Sequence, residues 1–188
     1  MFIDLWIIIL GFLGPEHEFM AACVCRDWYE ILAAKRKRRG DLMWKTPTSS
    51  ICTSVPCLEW AISQGYKMNE YTSYEIANSG NLAILQWVRA KGCPWDEDIC
   101  AVAAGNGHLE VLQWAHENGC PWDEDTCTYA ADGGHLEVLQ WAQVNGCSWD
   151  ENTCSYAAYG GHLPILQWAR DNGCSWDEST CSYAAYGG

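Results

Sequence analysis

The chain has 188 residues, 49% of them hydrophobic and 19% charged, and a formal net charge of −13. That composition excludes global disorder and affords a core. Residues 1–40 hold six Lys/Arg against five Asp/Glu, and residues 41–188 hold five against nineteen, so the second part repels phosphate backbones. Nucleic acid is therefore set aside as a partner in favour of a neutral or basic protein.

The opening "MFIDLWIIILGFLG" is apolar from Leu5 to Leu13, with Asp4 and no base before it. This is a poor signal peptide, and it is far short of the ~20 residues of a membrane span. An intracellular, reducing compartment is expected, the cytoplasm with the nucleus left open, with no membrane association and the twelve cysteines reduced. Next come a Gly14-Pro15 break, where Pro15 suits a helix start, and an amphipathic stretch. The string "FLGPEHEFMAACVCRDWYEIL" resembles the F-box through Phe12, Leu13, Pro15, Val24, Cys25, Trp28 and Leu32. It departs from that family at Met1-Phe2, Ile8 and Glu18. The resemblance implies a helical segment over 1–39 that docks on the linker subunit of a cullin-based (SCF-type) ubiquitin ligase, with Leu13, Pro15, Val24, Cys25 and Trp28 as contact residues. The alternative is a hydrophobic cap on the first repeat. "KRKRR", residues 35–39, reads either as a nuclear-import cluster or as cations at a helix C-terminus. Residues 40–53 are a linker or a degenerate half-repeat.

From residue 54 the sequence repeats every 27 residues. His108, His135 and His162 keep that period, as do Trp60, Trp87, Trp114, Trp141 and Trp168 and two cysteine series, Cys93/120/147/174 and Cys100/127/154/181. Such a period means a solenoid whose units bury each other's apolar faces. Within a unit, "DEDTCTYAADGG" begins with acids and ends in glycines, as a short capped helix does. "HLEVLQWAHENG" carries a broad apolar stripe and stops at Asn118-Gly119, a second helix. The phrase "GGHLEVLQWAQVNGC" resembles the second helix of an ankyrin repeat, and "DTCTYAA" falls on the ankyrin T-P-L-H-L-A-A with Cys127 and Tyr129 in the leucine slots. The unit is six residues shorter than the family's, between Gly146 and Asn152, so the β-hairpin fingers are expected to be absent. The fold class is all-α: an ankyrin-like helical solenoid over 54–188, its last repeat incomplete, behind a small F-box-like helical head.

The recurring chemistry has structural duties. The cysteines fit small core slots, and C-x₆-C-x₇-H lacks zinc-knuckle spacing and a fourth ligand in phase. No metal and no cofactor are expected. The Trp of "LQWA" reads as a core residue and that of "C-x-W-D-E" as a lid over the loop. The histidines stand at the turn between helices, where they can hydrogen-bond carbonyls of a neighbouring unit. Three identical copies without a nucleophile argue against catalysis, and no enzyme activity is expected. Asp123-Glu124, Asp150-Glu151 and Asp177-Glu178 cap helices or face a basic partner. Two slots vary between repeats and are the candidate target-binding rows: Asn78, Gly105, Asp132, Tyr159 and Tyr186 at first-helix ends, and Arg89, His116, Gln143 and Arg170 near second-helix ends. The function expected is protein-protein interaction, as a substrate-recruiting adaptor of an SCF-type ligase or as a plain ankyrin scaffold or inhibitor.

Overall fold

The structure, a computed structural model, describes residues 52, 54–63, 65–176 and 178–187. The chain divides into two compact units, Met1–Lys67 and Met68–Gly188. In the first unit the described residues form helix α1 (Val55–Ser63), with Cys57, Leu58 and Ala61 buried. The F-box-like residues Leu13, Pro15, Val24, Cys25 and Trp28 and the basic cluster at 35–39 lie outside the described residues.

The second unit runs through α2 (Glu70–Asn78), α3 (Leu82–Ala90), α4 (Asp98–Gly105), α5 (Leu109–Glu117), α6 (Glu124–Asp132), α7 (Leu136–Val144), α8 (Glu151–Tyr159), α9 (Leu163–Asp171) and α10 (Glu178–Gly187). Every regular element among the described residues is a helix, and they alternate as the first and second helices of a helical solenoid.

The local sequence sets each boundary. Asp123 is extended, and its side chain accepts from Asp125 N–H at 3.1 Å, opening α6. Asp150 does the same for α8 through Asn152 N–H at 2.9 Å. Asn69 and Thr72 form a reciprocal capping box at α2. Second helices stop at Asn-Gly in α5, α7 and α9 and at Lys91-Gly92 in α3. Asn145 Nδ2 returns to the Trp141 carbonyl at 2.8 Å, and Gly146 turns the chain at φ +89°. Cys147 N–H then reaches back to the Ala142 carbonyl at 3.0 Å.

First helices pack on one another in series, each second helix lies against its own first helix, and neighbouring second helices touch little. Small residues allow the close row: Ala103-Ala104, Ala130-Ala131 and Ala157-Ala158 are buried. Leu85, Leu112 and Leu139 fill the space between rows with no exposure, each worth about 1.5–3 kcal/mol of apolar burial.

Polar groups close the units and tie their seams at three places. The Cys120, Cys147 and Cys174 thiols donate to the carbonyls of Asp96, Asp123 and Asp150 at 3.2, 3.1 and 3.2 Å, closing each unit from its last loop to its first cap. His108 Nε2 lies 3.2 Å from the Asn78 carbonyl oxygen and His162 Nε2 2.8 Å from that of Asp132, the contact to a neighbouring unit that the turn position implies. Hydroxyls pair between first helices, Thr128 with Thr153 at 3.5 Å and Ser155 with Thr180 at 3.0 Å. One unit earlier the partner slot holds Ala101. There the buried Thr126 Oγ1 makes no well-formed hydrogen bond, with the Cys147 thiol beside it.

Candidate functional site

The first helices present a face of tyrosines and carboxylates. Asp125 and Tyr129 stand four residues apart and therefore on one side of α6, and on α8 the same two positions hold the amide of Asn152 and Tyr156. Tyr129 is 50% exposed and Tyr156 41%, against none for the neighbouring Cys127 and Cys154. The placement of Tyr129 in a leucine slot of the core is thus corrected: Cys127 is buried, but Tyr129 points out of the helix row. Partial burial first, then the charge of Asp125, raises its phenol above the ordinary range. The signal was present in the sequence, because Glu75 and Val102 share the phase of Tyr129, Tyr156 and Tyr183, and a glutamate does not fit a core slot.

Tyr129 and Tyr183 lean on the variable slot of the unit before theirs. A Cβ at Gly105 would lie 3.2 Å from Tyr129 Cβ. Tyr183 meets Tyr159 edge-on at 5.8 Å and stacks beside Tyr156 at 6.1 Å. Between α6 and α8 the face opens into a groove of about 340 Å³ lined by Asp125, Thr128, Tyr129, Asp132, Asn152 and Tyr156. A second, of about 470 Å³, lies between α2 and α4 and is lined by Glu70, Tyr71, Tyr74, Asp96 and Asp98.

Of the first-helix row, Asn78, Asp132 and Tyr159 are exposed at their helix ends, and Gly105, between Asn78 and Asp132 in the row, is half-buried. Asp132 enters a groove, whereas the Asn78 side chain accepts from Asn106 Nδ2 at 3.1 Å. Tyr186 is in the last turn of α10, its side chain outside the described residues. The second-helix row has a structural use. Arg89 lies 4.1 Å over the Trp95 ring, His116 stacks on Trp122 at 3.9 Å, and Arg170 lies 5.8 Å over Trp176. Beneath them the loop tryptophans meet the "LQWA" tryptophans edge-on, Trp95 with Trp114, Trp122 with Trp141 and Trp149 with Trp168, at 5.5–5.8 Å. Trp114, Trp141 and Trp168 are half-buried in these pairs rather than sealed in the core.

The buried thiols shift in opposite directions within each pair: the hydrogen bond shared with Cys127 lowers Cys147, and the one shared with Cys154 lowers Cys174. The hydrogen bond shared with Cys147, then burial, holds the Cys127 thiol well above its usual range, and Cys174 does the same to Cys154. Among the described residues no group of three or more His, Cys, Asp or Glu could hold a metal ion, and no helix is long and apolar enough to cross a membrane.

No protein-family model and no curated protein matches the sequence. Among solved structures the chain is similar to the pentatricopeptide repeat protein PPR10 in complex with an 18-nt psaJ RNA element, at 14% identity and a TM-score of 0.42. A cysteine-to-serine variant of the same protein in the same complex gives the same values. The match covers 85% of this chain but 27% of that one. The chain is a helical-repeat protein. The exclusion of nucleic acid drawn from its acidity is corrected here, since the helical-repeat protein it matches is solved with RNA bound. Net charge governs phosphate contacts, whereas single strands are also held by bases stacked on aromatic side chains.

Proposed function

We propose that the repeat array is a non-catalytic binding module that engages another protein through its first-helix face. Together with the F-box-like segment, it serves as a substrate-recruiting adaptor of an SCF-type ubiquitin ligase. The observation that carries the binding part is the recurrence of tyrosine and carboxylate along that face, opening into a groove at α6–α8. Tyrosine supplies large contact area and a polar tip at small entropy cost. In the opposite row Arg89, His116 and Arg170 lie over tryptophans, and the buried thiols and seam histidines have structural partners. The adaptor part and the ankyrin kinship rest on the resemblances in sequence.

The test uses the full chain with a photo-crosslinking amino acid at Asp132 or, as control, at Glu137, which is exposed on the second-helix side. Adducts with one protein at position 132 and none at 137 are expected; equal labelling at both sites contradicts the face assignment. Titration with the ligase linker subunit tests the adaptor part, with Trp28→Ala expected to weaken binding by about 2 kcal/mol or more. Absence of wild-type binding leaves a plain scaffold.

A further inference from the structure

We propose that the ligand of the first-helix face is an extended polypeptide segment with two cationic side chains five or six residues apart, one for each tyrosine-carboxylate groove. The inference rests on the protein-binding reading above and adds to it the chemistry and spacing of the ligand. Each groove pairs aromatic faces with carboxylates: Tyr71 and Tyr74 with Glu70, Asp96 and Asp98 in one, Tyr129 and Tyr156 with Asp125 and Asp132 in the other. Tyr71 and Tyr74 stack at 6.0 Å with planes 8° apart, which presents parallel ring edges and faces beside the acids. Among the described residues no lysine or arginine lines either groove. A ring face with a carboxylate beside it is the setting a guanidinium or ammonium group prefers, the ring taking the flat side of the cation and the acid its N–H groups.

The electrostatics of the α2–α4 groove agree. Asp96 is raised above the usual carboxylate range by partial burial and then by Asp98, Glu70 and Glu97, so these acids crowd one another. At the α4–α6 seam between the two grooves, the tyrosine slot of the earlier unit holds buried Val102, and Tyr129 lies against Gly105. The two grooves therefore stand two helices apart.

That separation fixes the ligand's register. Packed helices lie roughly 8–10 Å apart, so two steps span roughly 16–20 Å. An extended chain advances roughly 3.3–3.6 Å per residue, which gives roughly five or six residues between cations.

The test is a titration of the full chain with labelled Gly/Ser-based peptides containing two arginines at i,i+5 or i,i+6, two at i,i+2, one arginine, or two glutamines. Peptides of the longer spacing are expected to bind about tenfold or more tightly than the one-arginine and i,i+2 peptides. Asp98→Asn with Asp132→Asn should erase that spacing preference, with the thermal midpoint retained. Affinity independent of spacing, no binding of any arginine peptide, or displacement of the peptide by a single-stranded RNA that binds the face more tightly overturns the proposal. Crosslinking at position 132 separates the two ideas. Adducts there without arginine-peptide binding defeat the ligand assignment alone, and loss of both defeats the binding face as well.

Discussion

His162 Nε2 lies 2.8 Å from the carbonyl oxygen of Asp132, and the same imidazole covers Gly134, where an added Cβ would stand 2.7 Å from Cε1. One side chain thus satisfies a helix-end carbonyl of the preceding unit and occupies the room that a side chain on its turn would need. Gly134 and Gly146 both have positive φ, +80° and +89°, but nothing lies within 4 Å of a Cβ at Gly146. Alanine at Gly146 should cost the backbone strain alone, about 1 kcal/mol, while Gly134→Ala should cost about 1–3 kcal/mol more because the ring must also move. Urea denaturation of the two variants checks the difference; equal losses would mean that the histidine seam is loose.

Thr126 Oγ1 makes no well-formed hydrogen bond because the slot that holds Thr128 and Ser155 in later units holds Ala101. Ala101→Ser should restore the pair and stabilise the protein by about 0.5–1.5 kcal/mol. A shift of the urea midpoint to higher concentration with an unchanged slope is the expected signature, and destabilisation would show that the seam cannot admit a hydroxyl.

Gln143 stands in register with Arg89, His116 and Arg170, each of which lies over a loop tryptophan. Arg89 Nη1 also donates to the Cys93 carbonyl at 3.2 Å. Gln143→Arg should therefore cover Trp149 and reach the Cys147 carbonyl, raising stability by about 0.5–1 kcal/mol. Calorimetry checks it, and an unchanged midpoint would assign those cation contacts to surface proximity without energetic weight.

Much of this architecture was legible because each boundary has its own residue chemistry. The Asx caps at Asp123 and Asp150, the Asn-Gly stops, and Cys127 and the histidines at their 27-residue period place the helices, core and seams. The proposed binding face was not legible in the same way. Matching Tyr129 to a leucine slot hid it, since a tyrosine suits a core or a surface equally and only its neighbours decide. Pairing of Trp95 with Trp114 joins residues of two elements, which no single helical period specifies. The acidity that argued against nucleic acid is a sum over the chain and says nothing of single aromatic faces.

Asp96 and Asp123 both have carboxyl groups raised above the ordinary range, by partial burial first and then by neighbouring acids. A group raised in the fold binds its proton more tightly there than in the unfolded chain. Its penalty is therefore present above the folded value and is relieved as the pH falls through it. The thermal midpoint should rise as the pH is lowered from 7 toward the upper edge of the carboxylate range, and Asp96→Asn should flatten that slope. A midpoint that falls over this window would contradict the sign.

The central claim is that the first-helix tyrosines hold the partner. The most direct measurement is the affinity of the protein captured at position 132 for the Tyr129→Ala/Tyr156→Ala chain, read beside its thermal midpoint. Both rings are about half exposed, so their loss should leave the midpoint nearly unchanged while affinity falls about tenfold or more, ~1.4 kcal/mol. Unchanged affinity in a folded double variant would place recognition elsewhere on the solenoid.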